Sequence, residues 1–69
     1  MSKIKITLNG EEFNLDNDKT VFDLVNELNL DLRKIAVELN YQIIQIDNFS
    51  DLKINEGDTI EIVHFIGGG

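Results

Sequence analysis

The sequence predicts an α+β domain in which a mixed β-sheet packs on one main helix. Three observations point there. An alternating hairpin opens the chain around Asn9-Gly10, a single amphipathic helical stripe follows Thr20, and the last strand is apolar enough to belong in the middle of a sheet. A chain of 69 residues is one domain with a small core.

The hairpin comes first. Asn-Gly adopts the positive φ angles of a tight two-residue turn, and such a turn fixes the register of its strands. Counting outward pairs Leu8 with Glu11, Ile6 with Phe13 and Ile4 with Leu15 on an apolar face, and Thr7 with Glu12 and Lys5 with Asn14 on a wet one. Thr20 then caps a helix, with Asp23 three residues on returning a carboxylate to the positive first turn. Val21, Leu24, Val25 and Leu28 form its buried stripe over two to three turns, and Asn29 sits where a C-cap belongs.

Ile35 to Leu39 alternates as a third strand with Ile35, Val37 and Leu39 inward. Ile43-Ile44 reads as a short fourth strand beyond an Asn40-Tyr41 turn. Between Asp47 and Asn55 the pattern is irregular, and Phe49, Leu52 and Ile54 are expected to anchor a helical turn or loop. Glu56-Gly57-Asp58 turns the chain into the final strand, Thr59 to Ile66. Placing that strand parallel to the first satisfies the crossover preference and buries both. The result is the ubiquitin-like β-grasp plan, expected over residues 1–66, with residues 67–69 as a flexible glycine tail.

Without cysteine the chain has no disulfide, thiolate metal site or thiol nucleophile, which suits a reducing, cytoplasmic setting. No run has signal-peptide or transmembrane length, so a soluble protein is expected. Thirteen acidic against six basic residues give a net charge of −7, which argues against nucleic acid and anionic membranes and suits a basic protein partner. The acids are spread from Glu11 to Glu61, so a solvated surface explains them equally well. A monomer is expected for the chain alone.

Gly67-Gly68-Gly69 ends the sequence. Three residues without Cβ leave a terminal carboxylate on a thin thread of roughly 10 Å, able to enter a tunnel too narrow for side chains. A carboxylate is a poor electrophile, but joined to AMP it becomes a mixed anhydride that sulfur can attack. A frayed end or cloning remnant would also be glycine-rich. Position argues otherwise, because Val63, Phe65 and Ile66 run into the glycines without a polar spacer. With Ile60 and Ile62 facing the core, Val63 and Phe65 fall on the opposite face beside Glu61, where exposed hydrocarbon would mark a docking surface unless a helix or loop covers it.

Other candidate chemistry is thin. His64, the only histidine, shares the inward parity of Ile60 and Ile62 and is expected to be a packed or hydrogen-bonded structural residue. Asp16-Asn17-Asp18 begins like a calcium loop but has Val21 where that loop needs glycine. Asp47 and Asp51 lack a nucleophile or phosphate cradle to serve, and Ser50 between them reads as a local cap.

Four ordered pieces carry a family resemblance: ITLNGE at Ile6 to Glu11, TVFDLVNEL at Thr20 to Leu28, IAVELN at Ile35 to Asn40 and EGDTIEIVHFIGGG at Glu56 to Gly69. Together they resemble, over essentially the whole chain, the sulfur-carrier proteins of thiamin (thiazole) biosynthesis. The resemblance implies that an E1-like adenylyltransferase uses ATP to activate the Gly69 carboxylate. Cysteine-derived sulfur, from a system such as cysteine desulfurase, then converts it to a thiocarboxylate. Gly67 and Gly68 would thread the tail into thiazole synthase, which receives the sulfur, with Val63, Phe65 and Ile66 docking. The resemblance also implies that no cofactor is bound permanently and that the carrier is not itself an enzyme. The sequence departs from the family at Tyr41, where a glycine is common, and at Ile44-Gln45-Ile46, where a valine-proline-arginine segment often stands. A molybdopterin-synthase small subunit would use the same glycyl end, and a ubiquitin-like binding or modifier module would use the same surface without sulfur chemistry.

Overall fold

A computed structural model describes residues 2–65. The element order is β1 (Lys3–Leu8), β2 (Glu11–Asp16), α1 (Val21–Glu27), a 3-10 turn at Leu32–Lys34, β3 (Ile35–Leu39), β4 (Gln42–Ile44), a second 3-10 turn at Ile46–Asp51 and β5 (Thr59–His64). The strands form one sheet in the order β2-β1-β5-β3-β4. β5 is central, parallel to β1 and antiparallel to β3.

The hairpin takes the register read from its turn, from Leu8↔Glu11 out to Lys3↔Asp16. Asn9 and Gly10 have φ angles of 51° and 83°. Helix α1 begins with a reciprocal capping box: the Asp23 N–H donates to Thr20 Oγ1 at 3.1 Å, and the Thr20 N–H to Asp23 Oδ2 at 3.0 Å. Leu28 is the C-cap, and Asn29 just beyond it takes the left-handed φ of 59°.

The core lies between α1 and one face of the sheet. Val21, Leu24 and Val25 meet Ile4, Ile6, Leu15, Ile35, Val37, Ile60 and Ile62 there. The irregular stretch contributes Phe49 and Ile54, both buried, with Leu52 half-buried. Two main-chain bonds at 2.9 Å, Val21 N–H to Leu52 O and Ile54 N–H to Lys19 O, tie it to the start of the helix.

The structure departs from the sequence reading in several places, the C-cap at Leu28 in place of Asn29 among them. The strand ends at His64 instead of Ile66, with Phe65 outside it, and Ile66 lies beyond the described residues. His64 is exposed, not packed. β1 stops opposite Ile60, so by His64 no strand among the described residues flanks β5 on that side. The turn at Leu32–Lys34 has no counterpart in the sequence reading; the Arg33 N–H donates to Asp31 Oδ1 at 2.9 Å to start it.

Candidate functional site

Everything that could carry chemistry at the end of the chain is delivered by β5, and two asparagines clamp that strand from opposite sides. On the β1 side the Asn9 N–H donates to Ile60 O at 2.9 Å, while Asn9 Oδ1 accepts the Ile62 N–H at 2.8 Å. On the β3 side the Asn40 N–H donates to Thr59 O at 2.7 Å, and Asn40 Oδ1 accepts the Thr59 N–H at 2.9 Å. Both asparagines have a φ of 51°, the first position of a tight hairpin turn. That conformation, accessible to asparagine, aims main chain and side chain together at the neighbouring strand. Asn40 Nδ2 also donates to Asp58 Oδ1, which steadies the turn entering β5.

Among the described residues, β5 beyond Ile62 is held by β3 and the turn before it. Ala36 pairs with Val63 and Ile35 with His64, and the Phe65 N–H donates to Lys34 O at 2.8 Å. This is the last tie described before residues 66–69, and the expectations for Ile66, Gly67, Gly68 and Gly69, the flexible tail included, fall outside the described residues. Val63 and Phe65 are 56% and 58% exposed, so no helix or loop among the described residues covers them. Beside Phe65 lies an open groove of about 420 Å³ lined largely by hydrocarbon, including Leu32, Ile35, Ala36, Ile43, Ile44 and Phe49, with Arg33 the one charged side chain among the described residues that line it.

The outer face changes character along its width. Across β1 and β2 it carries ion pairs, Lys3–Asp16 at 2.9 Å and Lys5–Glu12 at 3.3 Å. Lys3 holds the Asp16 carboxyl below its ordinary value, first by their hydrogen bond and then by charge. Across β5 and β3 the face is acidic at Glu61 and Glu38, then apolar at Val63 and Ala36. A surface of this kind suits a partner that brings hydrocarbon and positive charge.

The remaining candidates stay apart. Asp16 and Asp18 line a surface depression with Ser2, Asn17 and Lys19, and Lys53 pairs with Asp18 at 2.6 Å. Among the described residues no three His, Cys, Asp or Glu side chains are grouped to hold a metal ion. Asp47 and Asp51 are exposed on the second 3-10 turn, where Gln45, not Ser50, is the cap residue. No described helix is long and apolar enough to cross a membrane.

Comparison with known proteins bears on the whole length. A segment of a thiazole synthase from Paramagnetospirillum magneticum is 46% identical over 66 residues, covering 96% of this chain and 20% of that protein. The chain thus spans about a fifth of that relative. The sulfur carrier protein ThiS of Bacillus subtilis is 35% identical over 65 residues, covering 93% of this chain and 98% of that one. The crystal structure of a thiamine biosynthesis protein (ThiS) from Geobacter metallireducens superposes with a TM-score of 0.83 at 28% identity, covering 96% of this chain and all of that one. The ThiS family profile matches residues 5–69, from β1 through the terminal glycine, and with the β-grasp sheet, the central β5 and the glycyl end it leads into, the chain belongs to the ThiS family.

Proposed function

We propose that the protein is a sulfur carrier of thiamin biosynthesis whose working group is the Gly69 carboxylate. The observation that carries this is the central strand β5, clamped on both sides and leading exposed Val63 and Phe65 into a glycyl end that the family profile includes. An E1-like adenylyltransferase joins that carboxylate to AMP with release of pyrophosphate from ATP. Sulfur at the oxidation level of sulfide, drawn from a cysteine desulfurase system with a thiol as reductant, then attacks the carbonyl carbon. The C–O bond to phosphate breaks, AMP leaves, and a terminal thiocarboxylate remains. The carrier supplies no catalytic side chain and binds no resident cofactor; ATP belongs to the adenylating enzyme.

Thiazole synthase is the acceptor in this reading. Its support is the relative named thiazole synthase, in which a segment similar to this chain forms part of the protein. Joining carrier and acceptor in one chain raises their effective concentration. The reactions belong to the cytoplasm, where ATP and reducing thiols are supplied.

The test is the intact mass after incubation with ATP, a persulfide source, a thiol reductant and the host's E1-like enzyme. A gain matching one oxygen replaced by sulfur, lost when Gly69 is deleted, supports the carrier chemistry. An unchanged mass with a demonstrably active enzyme favours a binding module that uses the same surface without sulfur.

A further inference from the structure

The connection from α1 to β3 is short and anchored on the core. Leu28, Leu30 and Leu32 pack half-buried against it, and the Leu30 N–H donates to Val25 O at 3.2 Å. Asp31 lies between the last two of these leucines and closes the 3-10 turn twice. Its Oδ1 accepts the Arg33 N–H at 2.9 Å, and its main-chain oxygen accepts the Lys34 N–H at 2.9 Å. The Arg33 Nε lies 3.4 Å from the same Oδ1. The Arg33 backbone N–H is also the first of the groups that hold the Asp31 carboxyl below its ordinary value.

Lys34 is where this turn meets the working strand. In an antiparallel ladder alternate pairs exchange both main-chain bonds. The Asn40 N–H bond to Thr59 O and the Phe65 N–H bond to Lys34 O fix which pairs of β3 and β5 do so, and the intervening ones are Glu38↔Glu61 and Ala36↔Val63. At Lys34 the exchange is incomplete. The Phe65 N–H donates to Lys34 O at 2.8 Å, but the Lys34 N–H turns back to Asp31. The last described tie of β5 is therefore one bond, made to a carbonyl that the ladder does not fix and the Asp31 turn does.

Without that bond the next attachment inward is Ala36↔Val63. The segment that carries the Gly69 carboxylate then grows from residues 66–69 to residues 64–69. That puts about 7 Å more chain between the sheet and the reacting carbon, at roughly 3.3–3.6 Å per residue.

We propose that Asp31 is a positioning residue for acyl activation: through the turn it closes, it holds the Lys34 carbonyl that fixes where the glycyl end leaves the sheet. It touches neither ATP nor the reacting carboxylate. This role rests on the carrier reading. A carboxylate referenced to a fixed point is presented to an active site at higher effective concentration than one on a longer thread, and less freedom is lost when it is oriented there.

Two substitutions separate this role from others. Asp31→Ala removes the acceptor, whereas Asp31→Asn keeps an oxygen for the Arg33 N–H and removes the charge. The readouts are amide hydrogen exchange by NMR and pyrophosphate release with ATP and the host's E1-like enzyme. In Asp31→Ala the Phe65 amide is expected to exchange several-fold faster, while the Ile62 amide, held by Asn9, is unchanged. The kcat/KM for adenylation is expected to fall about three- to tenfold. The enzyme's affinity for a chain ending at Ile66, which docks without offering a glycyl end, is expected to be unaffected by the same substitution. Asp31→Asn is expected to restore both the amide and the rate.

A faster Phe65 amide with kcat/KM unchanged overturns the positioning role. So does an Ile62 amide that loosens in step, because the loss then belongs to the fold as a whole. An equal fall in affinity for the shortened chain moves the effect to docking, and an asparagine variant as slow as alanine makes the charge, not the turn, the active feature. A wild type that releases no pyrophosphate with a demonstrably active enzyme overturns the carrier reading and this role with it, whereas an unaffected Asp31→Ala beside an active wild type overturns this role alone.

Discussion

Glu38 on β3 and Glu61 on β5 stand directly opposite each other on the outer face of the sheet, and neither enters an ion pair among the described residues. Like charges so placed cost about 0.2–1 kcal/mol. The adjoining pair on the same face is Ala36 and Val63, so the repulsion sits beside the hydrocarbon that precedes the glycines. A cation from a docked partner would relieve it. Glu61→Gln is therefore expected to raise stability by about 0.2–1 kcal/mol in urea unfolding while raising the adenylating enzyme's KM for the carrier with kcat little changed. Val63→Asp should raise that KM further with stability within about 0.5 kcal/mol of wild type, as befits a surface change. A Glu61→Gln variant that gains stability without a change in KM would make the pair a structural feature only, and one that loses stability would overturn the repulsion.

Asn9 allows a cleaner dissection, because its conformation and its acceptor can be separated. Asn9→Gly keeps the positive φ of 51° but removes the oxygen that accepts the Ile62 N–H, whereas Asn9→Asp keeps both. The glycine variant is expected to lose about 0.5–1.5 kcal/mol and to exchange its Ile62 amide several-fold faster, with the aspartate variant close to wild type. Hydrogen exchange followed by NMR reads the amide directly.

The segment whose pattern was least regular carries much of the core. Ile54→Ala empties a fully buried position and should cost about 2–5 kcal/mol, against a total of roughly 3–10 kcal/mol for a chain this size. Partial unfolding at room temperature is the expected outcome. Ile43→Ala, at 69% exposure, should change stability by no more than about 0.5 kcal/mol. Urea midpoints at constant slope compare the two.

Three carboxyls are held below their ordinary value: Asp23 first by the Thr20 backbone N–H, Asp31 first by the Arg33 backbone N–H, and Asp16 first by its hydrogen bond from Lys3. A depressed folded-state value contributes stability that is fully present above the unfolded carboxylate value, near 3.9, and is lost as pH falls through the folded values. Stability should thus be level from about pH 5 to neutrality and decline below about pH 4, with a shallower decline in Asp23→Asn. Lys3 is raised from 10.5 by Asp16, so its share persists below that value and disappears as pH climbs through the raised one. Urea midpoints across pH check both limbs.

What could be read from the sequence was local or periodic. Asn9-Gly10 set the hairpin register because a two-residue turn leaves no slack, and Thr20 with Asp23 marked the helix start because both halves of a capping box lie within four residues. The largely apolar β5 pointed to its own central place. The Leu32–Lys34 turn escaped because three residues carry no periodicity, although its Lys34 carbonyl makes the last tie to Phe65. His64 misled because parity predicts which way a side chain points but not whether anything lies there to cover it. The reach of Asn9 to Ile62, 53 residues away, and the meeting of Glu38 with Glu61 depend on how distant strands align, which nothing near either residue encodes.

The central place of β5 also has a mechanical meaning. In the proposed carrier role, an enzyme that drew the glycyl end into a tunnel would pull this strand along its own axis. β1 lies alongside in the same direction, β3 pairs with it over five residue pairs, and the two asparagines bind its start. Tension then loads those cross-strand bonds together in shear, whereas an edge strand would peel away one bond at a time. The strand that presents the working end is therefore the one from which that end can be tugged with the least risk of unravelling the domain behind it.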